Sequence, residues 1–315
     1  MGLILIFVIA GIQTVGQDVV SAELASRYEG YRRSGLTAFL QRNYEQAEND
    51  LNKALIEARR LGPADAKVAT VLSDLSQVYR QTGRLSEAEK LLQQSVTILR
   101  INDPDHYLYA VLNNLGQVYV SQDRRKDAER TFKVALSLAK NTRRPMDGAI
   151  ADILSNLGLL QEEQKKYRQA EESFQRSLEI RRATFGSDTL QVAEALNDLG
   201  TLYQFQSQYS KAEAMLERSL RILEGLLPSD HPDLAAVLEN LGVVKNKVHQ
   251  FDASEAFFRR SVAIQTKHGS IDRPGLLRVY ADTLRNLNKR EEAAALLVLM
   301  KRLLDQQRFT VKAKP

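Results

Sequence analysis

The side chains best suited to acid–base or metal chemistry are few and widely separated in this sequence. Four histidines are present, and each falls where a helix is expected to begin or end: His106, His231, His249 and His268. A histidine at such a place stabilises a helix terminus, which requires no catalytic role. Asp103, Asp105 and His106 could form part of a metal site, but no further ligand completes a tetrahedral or octahedral set. We therefore expect no bound metal.

Residue types exclude several other kinds of catalytic site. The chain has no cysteine, so disulfides, zinc thiolates, thiol catalysis and lipid attachment through an N-terminal cysteine are impossible. It also contains no glycine-rich phosphate loop, nucleophile elbow or paired-histidine metal motif. The sequence therefore predicts a protein without enzymatic activity and without a cofactor.

The overall charge is basic but evenly mixed. There are 44 Lys and Arg against 39 Asp and Glu, which gives a formal net charge of +5 and a pI of about 9.2. The densest basic clusters are expected at turns or helix ends, where solvated charge is favourable: Arg124–Lys126, Arg143–Arg144, Lys165–Lys166 and Arg181–Arg182. Because no aromatic residues are interleaved with them, the sequence argues against a nucleic-acid partner.

The elements that position the polar residues come from an internal repeat. The strings LNNLG, LSNLG, LNDLG and LENLG end in glycines that recur every 42 residues. The same small-residue position is found in seven units: Gly35, Ser76, Gly116, Gly158, Gly200, Gly242 and Ala281. A period of this length is typical of stacked supersecondary units rather than of one globular core.

Two further positions recur in every unit. A second small residue follows the first by twelve positions: Ala47, Ala88, Ala128, Ala170, Ala212, Ser254 and Ala293. A large apolar residue comes four positions later: Leu51, Leu92, Phe132, Phe174, Leu216, Phe258 and Leu297. Small side chains recur where two helices cross closely, and leucines at the fourth and seventh positions of the middle units mark one apolar helix face. The sequence predicts an all-α fold in which each unit is a pair of helices.

These positions resemble those of the tetratricopeptide repeat. The 42-residue period, with its Asn-Asn-Leu and Asp-His-Pro elements, is similar to the lengthened repeat of kinesin light chains and many bacterial proteins. The resemblance implies a right-handed α-α superhelix, a solenoid of about seven helix-turn-helix repeats over residues 23–308. It also implies a binding scaffold, although the fold by itself does not identify the partner.

In tetratricopeptide repeats the first helix of each unit lines a concave groove, and this resemblance assigns binding positions to the present chain. The sixth position of the first helix holds Asp74, Asn114, Asn156, Asp198 and Asn240. Asp152 and Glu194 occupy the second position, and Asn197 occupies the fifth. Such a column of amides and carboxylates can hydrogen-bond both donors and acceptors of an extended peptide. The same side chains could instead bridge neighbouring helices or cap local backbone.

The charge of the implied groove opposes that of the whole chain. Two central units contribute carboxylates and no basic residue at groove positions: Asp152, Glu162, Glu163, Glu194 and Asp198. Glu162 and Glu163 end their helix and could point to solvent instead. We expect an acidic central groove that favours a neutral or basic segment of a protein or peptide partner. The missing Lys and Arg argue against a clamp for a partner's C-terminal carboxylate.

The preferred interpretation is a non-catalytic protein–protein interaction scaffold that holds a partner peptide or helix in this groove. One alternative is a regulatory or sensor arm of a signalling or enzyme complex whose catalytic part is a separate chain. Two further alternatives are a nucleic-acid binder that uses basic convex ridges and an α-solenoid hydrolase that depends on one carboxylate. A steep salt dependence of binding would indicate the first of these, and activity abolished by one carboxylate substitution would indicate the second.

The two ends of the chain differ from the repeats. Residues Met1–Ile12 are almost wholly apolar, and Val20–Ala22 offers a site for signal peptidase. The apolar run is shorter than the ~20 residues of a spanning helix. We interpret residues 1–22 as a signal peptide, or as an N-terminal membrane anchor if uncleaved, and residues 309–315 as a basic tail. We expect an exported protein, periplasmic or secreted, that contacts a membrane only through an uncleaved N-terminal segment.

Export is testable on protein from the native host. N-terminal sequencing should begin near Glu23 in a fraction outside the cytoplasm, because signal peptidase removes the apolar segment. Intact Met1 in the membrane fraction would favour the anchor. Intact Met1 in a soluble cytoplasmic fraction would refute export.

Overall fold

A computed structural model describes residues 23–102, 107–141, 147–268, 271 and 273–312. The expected leader, the turn that contains Asp103, Asp105 and His106, and the last residues of the basic tail lie outside the described residues. Helices and turns make up the described residues, with no strand among them. The predicted all-α fold class is confirmed.

Fourteen helices occur in the described residues, and consecutive helices form seven pairs. The first, α1, is described over residues 23–40. The others are α2 (Tyr44–Leu61), α3 (Ala66–Gln81), α4 (Leu85–Asn102), α5 (Leu108–Ser121), α6 (Arg125–Asn141), α7 (Asp147–Glu163), α8 (Tyr167–Phe185), α9 (Leu190–Phe205), α10 (Tyr209–Leu226), α11 (Asp233–Lys247), α12 (Phe251–Lys267), α13 (Leu276–Asn286) and α14 (Arg290–Lys312). Within the described part of the chain, none of the helices combines the length and apolarity needed to cross a membrane.

The helices divide between two compact units whose boundary falls inside α7, after Leu160. Unit 1 contains a buried cluster from α1, α2 and α3 that includes Leu51 and Leu72. Unit 2 contains a buried cluster from α8 to α12 that includes Phe174 and Leu238. Within a unit, first helices of successive pairs also meet: α3 contacts α5, and α11 contacts both α9 and α13. The groove positions of neighbouring pairs are therefore adjacent in space.

At four crossings of paired helices in the described chain, a glycine meets one large residue, a leucine or a phenylalanine. A Cβ added to Gly200 would lie 2.6 Å from Cγ of Leu216, and one added to Gly35 would lie 2.7 Å from Cγ of Leu51. These separations are well below van der Waals contact, so only a hydrogen atom fits between the helices. The sequence predicts close crossings at the small residues, and at these two crossings the glycine meets the large residue sixteen positions later.

The turn inside each pair has one conformation. After the first helix comes a residue with φ between 58° and 79°: Arg42, Gly83, Asp123, Lys165, Ser207, His249 and Asn288. The next amide then donates to the carbonyl five residues earlier, as from Gln208 N to Tyr203 O at 2.8 Å. This bond satisfies a carbonyl that the end of the helix would leave unpaired. His249 is thus a turn residue, as its position in the sequence predicts.

In five of the described units, a glutamate at the start of the second helix links one pair to the next. It directly follows the second small residue of the unit, and the repeat pattern alone assigns it no role. Its partners come from the end of the following first helix or from the turn after it: Glu48 with Arg84, Glu89 with Arg124, Glu171 with Tyr203, Glu213 with Lys245 and Glu255 with Lys289. These glutamate links fix the register of each pair on its neighbour within a unit.

Gly200→Ala should destabilise unit 2, although alanine is the better helix former. The added methyl group must displace buried Leu216, and overpacking of this kind costs about 1–3 kcal/mol. Alanine returns only ~1 kcal/mol of helix propensity. Thermal unfolding followed by circular dichroism measures the balance. Gly225→Ala in α10, where a Cβ meets nothing within 4 Å, is the matched control and should be neutral or stabilising; equal losses in both variants would contradict the close crossing.

Candidate functional site

Side chains at the sixth position of the first helices hydrogen-bond to the preceding first helix. The amide nitrogens donate at 2.9 Å in three places: Asn114 to Ser73, Asn156 to Asn113 and Asn240 to Asn197. At the sixth position of α3, an ion pair takes the place of this hydrogen bond, because Arg32 Nε donates to Asp74 Oδ2 at 2.6 Å. We call these four contacts the rungs. The sequence leaves two roles open for these residues, peptide binding and bridging of neighbouring helices. In the structure these side chains bridge neighbouring helices.

The remaining groove candidates are divided between the two units. Asp152 belongs to unit 1 and is exposed on α7. Glu194 is exposed on α9 in unit 2, and Asn197 is partly buried one turn further on. Glu162 and Asp198 also belong to unit 2. The structure thus places four of the five predicted carboxylates, at positions 162, 163, 194 and 198, in one unit.

Asp198 occupies a rung position but cannot make the usual rung. A carboxylate has no N–H to donate, and among the described residues of unit 2 the nearby guanidinium of Arg181 bonds to Glu194 instead. Burial raises the pKa of Asp198 to about 7; the charge of Arg181 opposes this rise, and the charge of Glu194 adds to it. Asp198 is therefore a partly buried acid without a hydrogen-bond donor in its own unit.

Glu162, near the end of α7, is a second carboxylate of this kind. Its Oε2 is shielded from solvent and accepts no hydrogen bond within the described residues. The pKa of Glu162 is raised to about 7, mainly by burial and in part by the negative charges of Asp198 and Glu163. Glu163 is exposed, so the solvent-facing alternative holds for Glu163 and not for Glu162. Near neutral pH both acids lie between their charged and neutral forms, and a cation beside them would favour the charged form.

One basic residue reaches these positions from a second helix. Arg181 of α8 is buried, and its Nη1 donates to the backbone oxygen of Gln191 at 2.7 Å and to Glu194 Oε2 at 3.0 Å. The prediction that Arg181–Arg182 is a solvated charge at a helix end is therefore wrong for Arg181. The groove pattern follows first helices only, so it carries no signal for this residue. Arg181 therefore brings a positive charge close to Glu194 and Asp198.

A second guanidinium contacts the sixth-position residue of α11. Nη1 of Arg273, in the turn before α13, lies 3.2 Å from Asn240 Oδ1 and 3.4 Å from Glu239 Oε2. Glu239 is buried, and its other oxygen accepts from Gln265 at 2.7 Å. Arg273 belongs to a connection without repeated sequence, so the repeat pattern could not reveal it. Amide and carboxylate oxygens along this surface are suited to receive a guanidinium.

The described histidines lie at helix ends or in a turn. At the start of α11, the backbone N–H of Asp233 donates to Nδ1 of His231 at 3.3 Å. His268 follows α12 directly, and its Nε2 lies 3.0 Å from the backbone oxygen of Asp230. The predicted helix-end positions of these two residues are confirmed. Across the described residues, no three His, Asp or Glu side chains come together as a metal site.

Three solved structures have similar folds, and at their low identities the similarity concerns the fold alone. BtubC (BKLC) from P. vanneervenii is 24% identical with a TM-score of 0.62, over 72% of this chain and 93% of that one. A Rap protein complexed with Competence and Sporulation Factor is 17% identical with a TM-score of 0.67, over 91% and 76%. A putative kinesin light chain from Podosopora anserina, with nearly identical TPR-like repeats, is 20% identical with a TM-score of 0.51, over 64% and 95%.

The sequence itself matches models of the tetratricopeptide repeat over more than half of its length. The matched residues are 27–101, 111–146 and 149–225. No curated relative matches the chain. Seven helix pairs with one turn conformation, the recurring small–large crossings and these matches agree: the chain belongs to the tetratricopeptide repeat family.

Proposed function

We propose that this protein is a non-catalytic scaffold that binds a partner segment through a Lys or Arg side chain at the acidic groove of unit 2. Membership of the family supports the scaffold, because tetratricopeptide repeats generally serve as interaction surfaces. The observation that carries the finer proposal is the pair formed by Glu162 and Asp198. Both are partly buried carboxylates at groove positions without a hydrogen bond in unit 2, Oε2 of Glu162 is shielded from solvent, and each acid has a pKa raised to about 7.

The cost of burying the negative charge of these two acids favours a cationic ligand. A shielded carboxylate without a donor loses the hydration that stabilises its charge. An ammonium or guanidinium group brings both the opposite charge and N–H donors, and such charge-assisted bonds are about twice as strong as neutral ones. Within unit 2, Nη1 of Arg181 donates to Glu194 and Gln191 rather than to either acid. A donor from a partner is therefore the group that Glu162 and Asp198 lack within unit 2.

Two features support an occupant of this kind. Arg273 contacts oxygens of Asn240 and Glu239, so a guanidinium from the chain's own turn already lies on the neighbouring first helix. In addition, one protein of similar fold holds Competence and Sporulation Factor as a bound partner. The helix-pair architecture is thus compatible with a bound segment, and the charge of that segment follows from the carboxylates.

Two peptide libraries of equal length, one cationic and one anionic, test the charge preference. The protein should capture cationic peptides at pH 8 and bind them more weakly at pH 6. The reason is that acids with pKa values of about 7 lose their negative charge as the pH falls. Fluorescence anisotropy at both pH values measures the affinity. Preferential capture of anionic peptides would contradict the proposal.

Asp198→Asn and Glu162→Gln remove the charges with little change of shape. Each substitution should lower the affinity for the tightest-binding cationic peptide about tenfold at pH 8, as expected for one lost hydrogen bond to a charged group. The double variant should bind with little dependence on pH. Glu172→Gln is the matched control, because Glu172 is exposed on α8 and pairs there with Arg168. Affinity that is insensitive to both groove substitutions would mean that recognition occurs elsewhere.

Asp198→Asn should at the same time stabilise the fold. The folded pKa of Asp198, about 7, lies above the unfolded value of about 3.9. Its contribution to stability is therefore present below pH ~4 and is lost as the pH rises through 7. The free energy of unfolding of the variant should exceed that of the original protein by an amount that grows from pH 5 to pH 8, to about 1 kcal/mol or more. Thermal unfolding at both pH values measures it, and an advantage equal at both would show that charge is not the cause.

A further inference from the structure

A cavity of ≈ 260 Å³ opens on unit 2 beside Glu194. The first turns of α9 and α11 and the second half of α10 enclose it. Its apolar lining comes from Leu190, Ala193, Leu223, Ala236 and Val237. For scale, a protein cavity of about 150 Å³ holds a benzene molecule. A side chain of the size of leucine therefore fits.

The oxygen atoms of the two neutral polar side chains in the lining already have partners. Ser219 Oγ donates to the backbone oxygen of Ala193 at 2.7 Å, and Asn197 Oδ1 accepts the rung from Asn240 at 2.9 Å. A polar occupant would lose its hydration and find few free groups in exchange, which is costly. An aliphatic occupant loses no hydrogen bonds and removes apolar surface from water. The cavity therefore suits an aliphatic group.

The rim of the cavity carries negative charge. Glu194 and Asp233 line it with side chains that are 66% and 62% exposed, and no Lys or Arg is among the lining residues. Part of this charge is compensated, because Glu194 bonds to Arg181 and Asp233 lies 3.6 Å from His231. The remaining field favours a segment with a basic residue close to its aliphatic one.

The cavity lies about one helical turn from the cation site. Glu194 and Asp198 are four residues apart on α9, which is about 6 Å along the axis. Two residues of an extended chain span about 6.6 Å. We propose that the cavity binds an aliphatic side chain of the partner segment, two residues from the Lys or Arg that Glu162 and Asp198 receive. This inference rests on the proposed function for its second half, whereas the cavity can be tested without the cation site.

Ala236→Leu tests the cavity alone, because Ala236 is exposed on α11 and lines the cavity. Methyl NMR of the full chain follows Leu223 and Val237 during titration with N-acetyl-leucinamide, which has no charge. Saturable shifts are expected in the original protein and should be lost in Ala236→Leu. They should persist in Ala214→Leu, an exposed alanine of α10 outside the cavity lining. Absent shifts, shifts that survive Ala236→Leu, or equal shifts with N-acetyl-alaninamide would overturn the inference.

A second experiment separates the cavity from the cation site. The peptides acetyl-Leu-Gly-Lys-amide and acetyl-Ala-Gly-Lys-amide differ only in the aliphatic residue. The leucine peptide should bind about tenfold more tightly, and Ala236→Leu should abolish this ratio. Asp198→Asn should lower the affinity for both peptides by the same factor. Dependence on Asp198 without a leucine preference would overturn the cavity and leave the proposed function standing. A leucine preference in a protein whose affinities for both peptides are unchanged by Asp198→Asn would support the cavity and refute the cation site.

Discussion

The close crossing of the two helices of a pair determines where the other groups of the same unit can lie. At Gly200 the backbone lies so near to buried Leu216 that a Cβ has no room. The contact fixes the separation of the two helices, and through the second helix it fixes the position of the next first helix. The rung from Asn240 to Asn197 spans 2.9 Å, and a hydrogen bond of this length does not survive a displacement of one methyl diameter. The positions of the groove side chains therefore depend on the helix separations at these crossings.

Most of the fold could be predicted because its determinants are close together in the sequence. The small and large residues of a crossing are sixteen positions apart, and they recur often enough to be seen without a structure. The links between pairs are different. Glu171 meets Tyr203 over 32 residues, and Arg181 turns inward to Glu194 from a second helix. In the sequence these side chains are indistinguishable from solvated polar residues, because burial depends on how neighbouring pairs stack.

The positions of the candidate site could be predicted, but their roles could not. Asn and Asp look equivalent in the repeat pattern, since both accept hydrogen bonds and are similar in size. Only the amide also donates, so Asn156 makes a rung whereas Asp198 leaves a charge without a donor in its unit. Desolvation then decides the protonation of Glu162 and Asp198, and desolvation is a property of the folded surface rather than of the residue type.

The glutamate links also affect how such a chain can change its length. Within a unit, a helix pair offers a carboxylate to the pair that follows and a donor to the pair that precedes it, as Glu213 and Lys245 show on the two sides of one junction. A duplicated stretch of one period would carry both halves of this contact. The inserted pair would join its neighbours without leaving an unpaired charge at either junction. Gain or loss of whole pairs by gene duplication or deletion is thus compatible with the packing, whereas insertion of a partial period would misalign every later contact.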